Sequence, residues 1–217
     1  MQRTSSIVAS IVWAVSIMYS TIGYSDELKP IKLLTPEVDG GRPLMQVLRD
    51  RSSSRLFSAQ KLPDQILSNL LWAAFGINRP NNGKRTAPSA VNWQEIDIYV
   101  ATAEGLYLYD AKNQTLTPIL SKDIRSATGR QDFVREAPVN LIYVADFSRM
   151  GTASKEDKEF YSAADTGFIS QNVYLYCASE RLATVVRGSI DKQALASAMQ
   201  LRPEQKIMLA QSIGYPK

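Results

Sequence analysis

Three short segments of this chain carry residue types that bind anions and flat polar rings. The first is Arg51, Ser53 and Arg55, two guanidiniums and a hydroxyl at alternate positions of one turn. Guanidinium grips phosphate oxygens in a bidentate fashion, so the triplet suits a phosphate clamp, although an ordinary solvated turn can hold the same residues. The second is KRTAPSAVN, Lys84 to Asn92. Pro88 and Ser89 stiffen a loop that offers backbone N–H groups, a hydroxyl and the Asn92 amide. Such groups fit a heteroaromatic ring with alternating donors and acceptors; the plainer reading is a connecting loop. The third is VVRGSID, Val185 to Asp191, where Gly188 lets a ligand approach the backbone closely. Without a ligand it reads as a strand-to-helix turn capped by Asp191.

Composition removes several chemistries. There is no histidine, so no Ser–His or Cys–His nucleophile pair exists within the chain. Histidine zinc sites fall with it, and one cysteine rules out cysteine clusters. Cys177 has no intramolecular disulfide partner and reads as a buried, inert thiol. An enzyme of this composition places its chemistry in a cofactor. The net charge of +4 comes from scattered basic residues without a long run of one sign. That accommodates an anionic ligand and gives no indication of nucleic acid as a partner.

The elements that position these segments follow from periodicity. The chain opens with Arg3, an apolar run from Ile7 to Tyr19, then Gly23 and Ser25, with no further charge before Asp26. This is the pattern of a cleavable export signal over residues 1–25, and the run is short for a membrane span of about 20 residues. The expected mature protein is exported, periplasmic or extracellular, with no stable membrane span. Residues 26–43 are rich in Pro and Gly and read as an extended lead-in. Residues 44–217 form one domain. A helix is expected over Leu44–Arg51 and another from Pro63 to Gly76, where Ile66, Leu67, Leu70, Leu71, Ala74 and Phe75 recur at helical spacing. Residues 77–92 read as a loop. EIDIYVAT and GLYLYD alternate as strands of a hairpin around AEG, and VNLIYVAD reads as a central strand. A weak helix is expected near Asp132–Glu136. A long helix runs from Ser154 to Leu182, ATVVRG is a strand, Asp191 caps a helix over KQALASAMQL, and KIMLAQSIGY closes the sheet. The fold class is α+β: a central, mostly antiparallel sheet of four to five strands flanked by helices.

In order and spacing these motifs resemble the nitroreductase-like flavoproteins, and within them the SagB/ThcOx-type dehydrogenase branch. The likeness runs from about Leu44 to Pro216. RSSSRLF is similar to the family's opening Arg-x-Ser-x-Arg/Lys-x-Phe motif, LLWAAFGINRP with RTAPSA to the branch's central signature, GLYLYD to its hairpin. DTGFISQNVYLYCASERLATVVRG resembles the long central helix and following strand, and LAQSIGYP the closing strand. The resemblance implies a dimer with two FMN sites at its interface. It places Arg51, Ser53 and Arg55 at the FMN phosphate. Pro88, Ser89 and Asn92 would line the isoalloxazine. Backbone N–H groups of Arg187 and Gly188 would face its redox-active nitrogen. Lys217 would stand in for a basic phosphate contact that relatives carry beyond the closing strand. Val91 and Trp93 depart from the small residues of many relatives, and the Lys–Tyr pair of peptide azoline oxidases has no counterpart.

The implied activity is FMN-dependent hydride transfer from a donor such as NAD(P)H to a small acceptor by a ping-pong cycle. The alternatives are a dehydrogenase that passes electrons from a peptide or small molecule to oxygen or a quinone, and a flavin-binding protein without turnover. A homodimer is also expected from the long helix itself, which is apolar on more than one face. The plain alternative is the core helix of a monomer.

Overall fold

Seven strands in the order β1-β6-β5-β4-β7-β9-β8, every neighbour antiparallel, form the main sheet of this computed structural model, which describes residues 28–217. In chain order the elements are β1 (Ile31–Lys32), α1 (Leu44–Asp50), α2 (Asp64–Phe75), β2 (Ile77–Arg79) and β3 (Lys84–Arg85). Next come β4 (Ile96–Ala101), β5 (Leu106–Asp110), β6 (Thr115–Leu120) and β7 (Val139–Asp146). The chain ends with α3 (Lys155–Ser179), β8 (Ala183–Arg187), α4 (Lys192–Ala198) and β9 (Gln205–Gly214). The export signal expected over residues 1–25 lies outside the described residues. No helix among the described residues is long and apolar enough to cross a membrane.

The five strands read from the sequence are β4, β5, β7, β8 and β9, and the sheet gains two more at one edge. β1 is only two residues long, within the Pro/Gly-rich lead-in, and pairs with β6. β6 contains Pro118, which breaks a strand reading. The structure accommodates it at a register shift, where Leu106 faces Leu120 and Tyr107 faces Pro118. The expectation of four to five strands was therefore low. The 77–92 segment also departs from a plain loop, since β2 and β3 pair as a separate two-stranded hairpin.

Alternation along the strands divides the core in two. Ile98, Val100, Leu141 and Tyr143 pack under α2 and α3 with Leu70, Leu71, Ile169, Val173 and Cys177. Their neighbours Tyr99, Ala101, Ile142 and Val144 face Leu195 and Met199 of α4 and its flank. β7 is buried along its whole length between β4 and β9, as its unbroken apolar run requires. Ser154 caps α3 by accepting the Asp157 N–H at 3.0 Å, and Asp191 caps α4 by accepting that of Ala194 at 3.0 Å. Burial pushes the Cys177 thiol far above its ordinary range, which keeps it inert.

Candidate functional site

The Arg51–Arg55 segment leaves α1 and runs along β8, the edge strand of the sheet. The Ser54 N–H donates to the Thr184 carbonyl at 2.9 Å, and further on Phe57 bridges to Pro216. Tyr174 of α3 ties the same segment down from its inner side. Its hydroxyl accepts the Val186 N–H at 2.9 Å and lies 2.9 Å from the Ser53 hydroxyl, while the Arg51 guanidinium sits over its ring at 5.4 Å. A strand edge with unpaired groups is thus covered by a segment whose remaining donors face outward. Among the described residues neither Arg51 nor Arg55 is paired with a carboxylate, so their charge remains available for an anion. Lys217 follows Pro216 directly and lies with Phe57, Ser58 and Ala59, just downstream of this segment.

Strand alternation decides which amides of the third segment face a ligand. Thr184 and Val186 use their outward groups on Ser54 and Tyr174, so Arg187, paired with Ala210, turns its N–H toward β9. The next outward position along this edge is the exposed Gly188. The expectation that both N–H groups face a ligand therefore reduces to Gly188. Arg187 contributes its side chain instead. Its guanidinium is buried and bonds only neutral oxygens: Thr128 O at 2.6 Å, Asn140 Oδ1 at 2.7 Å and Thr128 Oγ1 at 3.2 Å. Burial pulls its pKa down to about 10, so it stays charged at neutral pH. The residue before Gly188 thus carries a fixed cation without a carboxylate partner, held inside the fold against Thr128 and Asn140, and no sequence pattern distinguishes it from a surface arginine.

The second segment is held elsewhere. The Ala90 N–H donates to Asp165 Oδ2 of α3 at 2.8 Å, and the Ser89 hydroxyl to Glu95 Oε2 at 3.2 Å. Glu95 is buried, and its other carboxylate oxygen has no partner. Burial, with the nearby Asp165, pushes its pKa up. The backbone is left-handed at Val91 (φ 50°), Asn92 (φ 60°) and Gln94 (φ 49°), a strained state for a β-branched valine. Trp93 meets Tyr161 edge-on, with centroids 5.8 Å apart. Asp165 and Tyr174, the anchors of loop and clamp, are nine residues apart on α3. That is about two and a half turns and roughly 13 Å along the axis, so the anchors lie on opposite flanks. Within one chain the structure joins the first and third segments and holds the second apart from them.

A model of the nitroreductase family matches residues 48–215, and a nitroreductase homologue of Methanocaldococcus jannaschii is 30% identical over 170 residues, covering 73% of this chain and 85% of that protein. The chain belongs to the nitroreductase family. A crystal structure of a nitroreductase homologue from Ralstonia eutropha superposes with a TM-score of 0.83 at 44% identity, over 87% of this chain and 90% of that one. Another, from Desulfovibrio desulfuricans in complex with FMN, reaches a TM-score of 0.59 at 25% identity, over 82% and 88%. Across this nitroreductase-family fold, sequence reasoning missed three supporting residues. Tyr174 and Asp165 passed for ordinary helix positions. Glu95 stood at a strand start, where its proximity to Ser89 was the one available signal.

Proposed function

We propose that this protein is an FMN-dependent oxidoreductase that takes hydride from a donor such as NADH or NADPH and passes it to a small acceptor in a ping-pong cycle. The observation that carries this is the β8 edge: two unpaired guanidiniums, the Ser53–Tyr174 hydrogen bond and an outward position at Gly188 lie along one strand of a nitroreductase-family fold. These residues fit FMN. Arg51, Ser53, Arg55 and Lys217 would hold its phosphate, and Gly188 would offer an amide to the ring. An N–H donor there would favour the anionic reduced form. FMN supplies the hydride chemistry; the protein supplies position and field. The FMN complex of the Desulfovibrio relative supports the choice of cofactor.

Pro88, Ser89 and Asn92 would line the ring from a second subunit, because the loop sits across α3 from the clamp of its own chain. The outer face of α3 supports a dimer. Phe160 (67% exposed) and Phe168 (49%) stand among Ala164 and Gly167, with Leu44 (61%) and Met45 (76%) of α1 also uncovered. A homodimer would cover this surface and complete each site. The sequence of residues 1–25 supports export, which N-terminal sequencing of protein from its own host would show as a start near Asp26 rather than Met1.

Stopped-flow reduction of the FMN-loaded protein tests the activity. Rapid bleaching by NADH or NADPH, followed by reoxidation with a nitroaromatic or quinone, is expected. Bleaching by a peptide or small-molecule substrate alone would favour the SagB/ThcOx-type dehydrogenase, a reading the export signal supports because nicotinamide cofactors are scarce outside cells. Bleaching by neither would leave a flavin-binding protein.

A further inference from the structure

A cavity of about 310 Å³ lies between the β2–β3 hairpin and the loop that carries Pro88, Ser89 and Asn92. Its charged lining is Arg79, Lys84 and Arg85, with no carboxylate. The two guanidiniums spend donors only on neutral oxygens. Arg79 bonds the Arg85 carbonyl at 2.6 Å and Asn78 Oδ1 at 3.0 Å. Arg85 bonds Gln94 Oε1 at 2.8 Å and the Phe75 carbonyl at 2.9 Å, and stacks on the Phe75 ring at 4.6 Å. A guanidinium has five N–H donors, so each keeps several unspent. None of the three cations is ion-paired among the described residues. Asp97, whose field reaches Arg85, is committed to Arg149 at 2.8 Å. Arg85 is partly withdrawn from water, so its charge is less screened than that of a surface arginine.

We propose that this cavity is an oxyanion pocket, one that selects ligands bearing a carboxylate or phosphate group. Concave shape, three uncompensated cations and several unspent guanidinium donors are what recognition of an oxyanion requires. The volume admits a small aromatic acid or a terminal phosphate. The pocket shares Pro88, Ser89 and Asn92 with the proposed ring-lining loop, so an anion held there is an anion on the reacting substrate. That placement rests on the flavin reading; anion binding itself does not.

Calorimetry on the purified protein tests it with benzoate, the neutral isostere benzamide, and adenosine 2′-phosphate. Benzoate or adenosine 2′-phosphate is expected to bind at least about tenfold more tightly than benzamide, the effect of one charge-assisted contact. A preference for benzoate assigns the pocket to an acidic acceptor, and a preference for adenosine 2′-phosphate to the phosphate of NADPH. The double variant Arg79→Gln/Lys84→Gln is expected to abolish the discrimination and raise KM for 4-nitrobenzoate. KM for 4-nitrobenzamide and FMN affinity are expected to stay the same. Equal binding of the anionic and neutral probes, or discrimination that survives in the variant, would overturn the proposal. Loss of FMN from the variant would also overturn it, by assigning the cavity to the cofactor. Discrimination in a protein that takes up no flavin would uphold the pocket and refute the flavin reading instead.

Discussion

The clamp along β8 and the loop at 88–94 carry the two halves of the proposed site by opposite means. The clamp is built on regular structure. Ser54 continues the edge of the sheet, Tyr174 locks Ser53 from a long helix, and its free guanidiniums stand on a stiff support. The loop has three left-handed non-glycine residues and is anchored by two buried carboxyls, one with an unpartnered oxygen. Affinity for a charged group asks for rigid donors in the open. Shaping a wall beside a reacting ring asks for an unusual backbone path, and that path is held by polar groups beneath it.

The largest effect belongs to the clamp. Arg51→Ala and Arg55→Ala should each weaken FMN binding by about ten- to a hundredfold, the effect of a charged hydrogen bond worth roughly 1.5–3 kcal/mol. Their melting temperatures should barely move, because neither charge is paired in the fold. Flavin titration alongside thermal melts reads both, and unchanged affinity in both variants would remove the clamp assignment.

Asp165→Ala should show the reverse pattern. It strips the Ala90 N–H of its acceptor at a half-buried site, which costs about 1–3 kcal/mol. Stability and kcat should fall, while affinity for free riboflavin phosphate through the clamp of the partner chain changes less than in Arg51→Ala. An Asp165→Ala protein that loses FMN as completely as Arg51→Ala would erase the distinction between the two regions.

Glu95 makes the loop sensitive to pH. Burial raises its folded-state pKa above the unfolded value, so its contribution to stability is complete below the unfolded pKa. It is lost as pH rises through the folded value, where the carboxyl must ionise in place. Glu95→Gln should therefore flatten the decline of melting temperature that falls between the unfolded and the folded pKa. A wild-type curve with no such decline would show that the buried carboxyl is not carrying a proton.

The smallest effect concerns Val91. Glycine there would relieve a left-handed valine, a gain of about 1 kcal/mol partly offset by the entropy of the more flexible unfolded chain. A modest rise in melting temperature is expected from Val91→Gly, and a clear fall would mean that the 80%-exposed valine has a contact in the assembly.

Much of this was legible in the sequence because it is local. Pro63 and Gly76 bracket α2, Asp191 caps α4, and the alternation of β4 and β5 gave their hairpin. The edge strands were not legible, since β1 has two residues and β6 contains a proline that only a register shift admits. The three candidate ligand segments could be named from their residue types, but their division between the flanks of α3 could not. That depends on which turn of the helix meets which loop, a tertiary fact carried by Asp165 and Tyr174. Arg187 likewise looked like a backbone donor until the β9 register turned its amide inward and its side chain into the core.

In the proposed assembly one flavin site takes its clamp from one chain and its loop from another. Light scattering of the FMN-loaded protein at low micromolar concentration, with flavin quantified in the same sample, tests it most directly. A dimer mass with one FMN per chain is predicted. A monomer mass with FMN still fully bound would contradict a site built between two chains.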